Sequence, residues 1–414
     1  MTKYQRPRGT RDIFGQELER IELINQKARN FFKLNGFLEI KTPTFESIEL
    51  FIRSIGEHTD IVEKEMYTFE HDKKLFVLRP EGTASVLRAI LENNINLPAR
   101  FLYVGWMFRK ERPQKGRYRE FLQIGIELIG ESAPFYDAEC INLARTFLNK
   151  VGATNFFIEL NSIGCSKCRQ EYKNILSDFL KSETENLCVD CQRRFEKNFL
   201  RIFDCKNDNC QKIYDEAPKI TDNLCPDCKA HYLKTKEFLK KMEIEFTENK
   251  KLVRGLDYYT RTVFELKLEG LGAQDTIVAG GRYDLLMKEL GGNETPCIGW
   301  AMGVERMLLA LPDNLPEIKE NKRFFIAVMG EDLFDDGLNL RDIIINRGGI
   351  CIIGNPLDKI KSQLKDANHY QADYVIIYGG DEAKKGVYTI KNMLSGEQKE
   401  IPKKDLDNYL STIM

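Results

Sequence analysis

The chain has 414 residues, 42% of them hydrophobic and 30% charged, with a formal net charge of −1. That composition suits two or three globular domains with real cores. It excludes a nonspecific nucleic-acid coat, so any RNA contact must come from local basic patches.

No apolar run approaches the roughly 18–20 residues of a membrane span. The opening residues, MTKYQRPRGTRDIFGQE, lack an apolar signal core, and a cytoplasmic protein is the expectation. Up to about residue 160 the chain mixes helices and strands. Ile21, Ile24, Ala28 and Phe31 recur at helical spacing and predict a helix over Leu18–Leu34, ended by Gly36. Phe37–Ile40 begins a strand before Thr42-Pro43. The apolar strand Leu75–Leu78 runs into RPEGT (79–83) and a helix that Thr83 would cap. Glu81 there suits an ammonium ligand or, equally, the positive end of the helix.

Residues 101–129 are the most informative. In FLYVGWMFR, Leu102, Val104, Trp106 and Phe108 alternate with Phe101, Tyr103, Gly105, Met107 and Arg109. In FLQIGIELI, Leu122, Ile124, Ile126 and Leu128 alternate with Phe121, Gln123, Gly125 and Glu127. Side chains of a strand alternate between faces, so each segment has one apolar face and one with isolated polar groups and a glycine. That second face reads as a pocket floor, or as a half-buried pair under a loop. Between the strands, KERPQKGRYR (110–119) sets five basic residues against Glu111, a hairpin suited to a polyanion.

Eight of the eleven cysteines lie between Cys165 and Cys228, in a charged helical stretch (161–245) that interrupts the first region. The pairs Cys165/Cys168, Cys188/Cys191, Cys205/Cys210 and Cys225/Cys228 fit two tetrahedral zinc sites or a set of reduced thiols, and spacing does not fix which pairs join. His231 reads as a surface or packing residue. Downstream, LVRGLDYYTRTVFE (252–265) sets Arg254, Asp257, Tyr258, Tyr259 and Arg261 in an apolar strand, with an Arg–Asp pair as the bland alternative. AGGRYDLL (279–286) gives a tight glycine turn and a weak phosphate-loop signal. IGWAMGVERMLLAL (298–311) is a strand, a turn and a helix whose first turn carries Arg306, a placement that favours an anion or ring partner. Beyond Pro312 and Pro316 the tail predicts a small α/β domain. Its strands are Phe324–Met329, Ile350–Ile353 and Tyr374–Tyr378, its helices Asp332–Asn346 and Pro356–Ala367, with a hairpin turn at Ser395-Gly396.

Taken together, these segments resemble the histidyl-tRNA synthetase family of class II aminoacyl-tRNA synthetases over essentially the whole chain. FLEIKTPTFESIELF (37–51) looks like motif 1, FRKERPQKGRYREFLQIGIE (108–127) like motif 2 and GVERMLLAL (303–311) like motif 3. RGLDYY and GGRYD look like the two histidine-specific motifs. The resemblance implies an α/β (α+β) fold with an antiparallel-sheet catalytic domain (1–160 and 246–318). A helical Cys-rich insertion (161–245) and a C-terminal α/β anticodon-binding domain (323–414) complete it.

It further implies a homodimer that uses ATP with Mg²⁺ to form histidyl-adenylate and then charges tRNA(His). In that scheme Arg109 and Arg254 are catalytic. Arg109, Glu111, Arg117, Phe121 and Arg306 bind ATP, while Glu81, Thr83, Gln123, Glu127, Tyr259 and Tyr283 bind histidine. Arg112 and Gln114 meet the tRNA acceptor end. The Cys-rich segment, stabilised by zinc, would clamp the acceptor arm. Rival readings are the regulatory subunit of ATP phosphoribosyltransferase, a class II synthetase for another amino acid, and a noncatalytic RNA-binding module. Each lacks a reason to keep RGLDYY, Glu127 and the motif 2 and 3 arginines together.

Overall fold

The apolar stripe of the first helix forms as its spacing predicts. Gln16–Leu34 buries Ile21, Ile24, Ala28, Phe31 and Phe32. Its Phe31 and Phe32 rings meet Phe147 of the helix Pro134–Val151, and Phe32 also meets Trp300. These two helices cover one face of an eight-stranded sheet. In the computed structural model, which describes residues 4–57, 59–268, 275–312 and 321–414, the sheet belongs to a first compact unit (1–315), and 316–414 form a second. Pro316 lies outside the described residues.

The sheet runs in the order Leu38–Glu39, Ala99–Phe108, Glu120–Ile129, Cys297–Gly303, Thr276–Arg282, Thr260–Leu268, Phe156–Ser162, Thr247–Glu248. Its six central strands are antiparallel, and the two short edge strands pair in parallel. The alternation read in 101–129 is realised in the register. Gly105 lies opposite Gln123, Tyr103 opposite Gly125 and Phe101 opposite Glu127. Leu122, Ile124, Ile126 and Leu128 point into the core and are at most 4% exposed. Each such buried aliphatic side chain contributes roughly 1.5–3 kcal/mol. The other face is left to form a site. A separate three-stranded sheet (Phe45–Ser47, Lys74–Leu78, Tyr67–His71) leaves Phe45, Phe69 and Leu75 exposed.

Between the strands Phe156–Ser162 and Thr247–Glu248 lie the α-helices Ser166–Leu180, Val189–Lys197, Asp208–Glu216 and Pro226–Lys241. Cys165, Cys188 and Cys225 occupy the N-cap positions of three of them. His231, on the last helix, is buried and meets Asp137 Oδ2 at 2.8 Å. Of the surface and packing alternatives the structure keeps the second, with the ring also meeting Arg261 Nη1 at 3.2 Å.

The second unit is a five-stranded sheet in the order Ile350–Ile353, Arg323–Val328, Tyr374–Tyr378, Val387–Asn392, Gln398–Pro402, parallel across the first three and antiparallel beyond. Phe324, Ile326 and Val328 pack on one face of it and Phe325 and Ala327 on the other, the mark of a strand covered on both sides. Ser395-Gly396 turns the terminal hairpin. No helix among the described residues is long and apolar enough to cross a membrane.

Four local readings need correction. Residues 252–259 are not strand: the strand starts at Thr260, and the preceding segment is held by side chains from elsewhere. Gly280 and Gly281 lie inside the strand Thr276–Arg282 rather than in a phosphate-binding turn. A Cβ on Gly281 would come 2.5 Å from the Thr262 carbonyl, so close strand packing selects glycine there. Thr83 is the first residue of its helix (Thr83–Glu92), not its cap. The capping acceptor is the Glu81 carboxylate, which takes the Thr83 and Ala84 amides at 2.6 and 2.9 Å. In the second unit the helix starts at Ile360 rather than Pro356.

Candidate active site

The uncovered face of the large sheet is the floor of a cleft of about 510 Å³. Odd positions of one strand supply Phe121 and Gln123 to it, with Gly125 and Glu127 next on the same face, as the period of two requires. Tyr103, on the neighbouring strand, donates to Gln123 Oε1 at 3.2 Å. Its ring fills the space that a side chain at Gly125 would occupy.

At the inner end of the cleft, Glu127 is 1% exposed and accepts hydrogen bonds from Thr83 Oγ1 (2.7 Å) and from the Tyr283 hydroxyl. Burial pushes its carboxyl up to about 8, against the pull of those two donors. Burial also raises Glu81, although two backbone amides hold it. The rings of Tyr258, Tyr259 and Tyr283 pack at centroid distances of 4.6–6.5 Å and wall this end. The result is a small, polar-lined, aromatic-walled pocket that offers acceptors from two carboxylates.

The outer end is cationic. Arg109 donates to the Pro80 carbonyl (2.8 Å), lies 5.3 Å from the Phe121 ring centre and sits 3.6 Å from Glu111. Glu111 also pairs with Arg117. Arg306 donates to the Thr276 carbonyl at 2.9 Å. Burial lowers the pKa of all three arginines; Arg117 is lowered further by Arg306 and Arg109, and Arg306 by Arg109. Guanidiniums clustered this closely at the mouth of a cleft suit an anion between them. Glu305, the neighbour of Arg306, takes the Leu122 amide at 3.0 and 3.1 Å and ties the helix Val304–Ala310 to the floor strand. Between the two ends lies Arg254, paired with Glu265 and 5.7 Å from the Tyr259 ring centre. The partner is therefore Glu265, not the Asp of an Arg–Asp pair. Burial is the largest influence and would lower Arg254, but Glu265 together with Tyr259 and Tyr258 outweighs it and the guanidinium is held above its ordinary value.

The cleft thus gathers Glu81, Thr83, Arg109, Glu111, Arg117, Phe121, Gln123, Arg254, Tyr259, Tyr283 and Arg306, with Glu127 directly behind Thr83 and Tyr283. Arg112 and Gln114 stay outside it, exposed on the hairpin that the backbone pair Gln114/Arg117 closes. Several lining residues escaped the sequence reading. Glu265 sits within a stretch already singled out, where Tyr258 is named without a role, and alternation along Thr260–Leu268 would have put Glu265 on the inner face. Arg194, Arg201, Asp204 and Lys206 come from the Cys-rich segment, and nothing in its spacing points to the cleft.

The eight clustered cysteines form two groups, Cys165/Cys168/Cys225/Cys228 and Cys188/Cys191/Cys205/Cys210, with all sulfurs of a group within 4.8 Å of one another. The Sγ separations Cys165–Cys168 (3.6 Å), Cys188–Cys205 (3.8 Å) and Cys165–Cys225 (4.0 Å) are too long for disulfides. They match the tetrahedron edge of about 3.8 Å that Zn–S bonds of about 2.3 Å generate. Backbone amides donate to Cys168, Cys210 and Cys205 sulfurs at 3.1–3.3 Å, as around metal thiolates.

Residues 9–307 match the family model for histidyl-tRNA synthetase, and 324–413 match that for an anticodon binding domain. A histidine–tRNA ligase of Thermotoga sp. (strain RQ2) is 46% identical over 417 residues, covering 99% of this chain and 98% of the relative. One from Desulfitobacterium hafniense (strain Y51) is 42% identical, with coverage of 98% and 97%. Among solved structures, apo histidyl-tRNA synthetase of S. aureus superposes with a TM-score of 0.78 at 33% identity, covering 98% of this chain and 99% of that one. The histidyl-tRNA synthetase of Nostoc sp. PCC 7120, at 20% identity and a TM-score of 0.67, shares the fold. With a cleft that pairs a cationic mouth with a carboxylate-backed pocket, and relatives aligned from end to end, the chain belongs to the histidyl-tRNA synthetase family.

Proposed function

We propose that this chain ligates histidine to tRNA in two steps and that the cleft performs both. The observation that carries this reading is the adjacency of the guanidiniums of Arg109, Arg117 and Arg306, which line one cleft, to a pocket backed by buried Glu127. In the first step the histidine carboxylate attacks the α-phosphorus of ATP; a new P–O bond forms and the bond to pyrophosphate breaks. Arg109 grips the α-phosphate and the attacking carboxylate, with Glu111 and Arg117 orienting the nucleotide. Phe121 stacks on adenine, while Arg306 covers its other face and reaches the terminal phosphate. Arg254 neutralises charge that develops in the transition state, where such a contact lowers the barrier most.

Glu81, Thr83 and Gln123 hold the α-ammonium group. Glu127 and Tyr259 take the imidazole nitrogens, with Tyr283 fixing Glu127. In the second step a terminal ribose hydroxyl of the tRNA attacks the acyl carbon and AMP leaves. Arg112 and Gln114 on the exposed hairpin suit the acceptor end, and residues 323–414 the anticodon. Mg²⁺ carried by the ATP phosphates would supply charge neutralisation. Glu265, a hard oxygen donor lining the cleft, is suited to meet it.

Each four-cysteine group holds a structural zinc, on the strength of its sulfur geometry. The catalytic domain comprises 1–160 and 246–318, and 161–245 are an insertion into it. The exposed Phe45, Phe69 and Leu75 of the small sheet, within and beside motif 1, suit contact with a second copy in a homodimer. The protein works in the cytoplasm, where its substrates are.

Amino-acid-dependent exchange of labelled pyrophosphate into ATP, run with all twenty amino acids and no tRNA, tests the core of this. Exchange with histidine alone is expected. Exchange with another amino acid overturns the pocket assignment, and no exchange in folded protein with Mg²⁺ overturns the catalytic one. Elemental analysis should find two zinc ions per chain; none would leave the cysteines as thiols.

A further inference from the structure

The stretch between Leu252 and the strand that starts at Thr260 carries Arg254, Tyr258 and Tyr259, yet it lies outside the sheet ladder. Its anchors come largely from the Cys-rich segment. Arg201 Nη1 donates to the Gly255 carbonyl at 2.9 Å, Asn198 Nδ2 donates to the Asp257 carboxylate, and Arg169 Nη1 donates to the Tyr259 carbonyl at 3.2 Å. Arg201 also binds Asp60 (3.1 Å) and Asp204 (2.9 Å), the latter within electrostatic reach of Arg254. The two arginines are not placed at random. Arg169 directly follows Cys168 at the start of a helix whose N-cap is Cys165. Arg201 lies on the short 3₁₀ turn Phe199–Asp204 between Cys191 and Cys205. Each four-cysteine group therefore projects one arginine onto one end of the same loop.

We propose that the two metal centres are braces for the Arg254–Tyr259 loop, so that metal occupancy controls histidine activation itself and not only the grip on tRNA. This rests on the zinc reading and on the roles proposed for Arg254 and Tyr259. A loop without ladder hydrogen bonds keeps a fixed conformation only as well as its anchors do. A guanidinium set by a tetrathiolate cross-link has far fewer alternatives than one on a free helix end. Arg201, beside Gly255, positions Arg254 and should govern the rate of the chemical step. Arg169, at Tyr259, should govern the hold on the imidazole.

The full-length chain, stripped with a chelator and then reloaded with zinc, is compared in tRNA-free pyrophosphate exchange and by hydrogen–deuterium exchange over residues 252–259. Stripping should deprotect those amides and slow pyrophosphate exchange by about 10-fold or more, and zinc should reverse both. A stripped chain that stays folded, keeps its protection and activates histidine at the reloaded rate overturns the brace, even where charging of tRNA falls. A chain that binds no zinc on reloading overturns the metal reading instead, which separates the two failures. Where stripping unfolds the protein, the metal-replete variants Arg201→Gln and Arg169→Gln decide, each at unchanged zinc content. Arg201→Gln should lower kcat for exchange about 10-fold with histidine KM nearly constant, and Arg169→Gln should raise histidine KM about 10-fold. Changes below about twofold in both variants overturn the proposal.

Discussion

Two clusters of buried arginine chemistry sit in one unit of this molecule, and they are built on opposite principles. At the back of the sheet, Arg282 is fully buried and fully matched. It bonds Asp137 at 2.6 Å, the Glu131 carbonyl at 3.0 Å and the Ala133 carbonyl at 3.3 Å, while Asp137 also holds Thr262 and His231. At the front, Arg109 and Arg117 share the carboxylate of Glu111, Arg306 bonds the Thr276 carbonyl, and neighbouring guanidiniums lower Arg117 and Arg306. The first network is closed by carboxylates and carbonyls, and the second leaves guanidinium edges facing the cleft. Burial alone does not mark a functional arginine; the ratio of positive to negative partners does.

The comparison breaks most readily at Asp137. Asp137→Ala removes the closer of the two carboxylates on buried Arg282, leaving Asp284 at 3.3 Å, and should cost about 3 kcal/mol of stability, measured by denaturant unfolding. A cost below about 1 kcal/mol would mean that the rear network is not the structural member we describe. At the front the loss should be catalytic instead. Arg254→His should slow adenylate formation about 10²–10³-fold while ATP binding changes little; equal losses in both would make Arg254 a ground-state clamp. Phe121→Leu removes a stacking face and should raise the ATP KM roughly 10-fold with kcat nearly intact.

The smallest effect concerns pH. Glu127 is raised in the fold to about 8. Its contribution to stability is therefore present in full below the ordinary carboxyl range and is lost as pH rises toward 8. Glu127→Gln lacks that titration, so its melting temperature relative to the parent should rise between pH 5 and pH 8.5, by about 2–4 °C or more. A constant difference across that range would show that Glu127 is ionised throughout.

The front site was largely legible in the sequence because the period of two in 101–129 separates a core face from a pocket face without any tertiary knowledge. Motif resemblance then supplied Arg254 and Arg306, which spacing alone left ambiguous. What stayed hidden depends on distant neighbours. Gly280-Gly281 reads as a turn, and only the approach of Thr262 and Gly299 from adjoining strands explains glycine inside a strand. Residues 252–259 read as strand because they are apolar, whereas Asn198, Arg201 and Arg169 take their polar groups out of the ladder. Glu81 read as a ligand for an ammonium group or a partner for the helix dipole. It caps the helix with both oxygens, a geometry that residue type cannot reveal. The cysteine spacings named four pairs but not their partners, since Cys165/Cys168 joins Cys225/Cys228 across more than fifty residues.

The raised carboxyl at the base of the pocket has a calorimetric consequence. A carboxyl raised to about 8 is mostly protonated at neutral pH, and on the proposed assignment an imidazole N–H directed at that oxygen would favour the ionised form. Uptake of histidine should then expel a proton to the solvent. The observed heat of binding should vary with the ionisation enthalpy of the buffer, with a slope that reports the number of protons released.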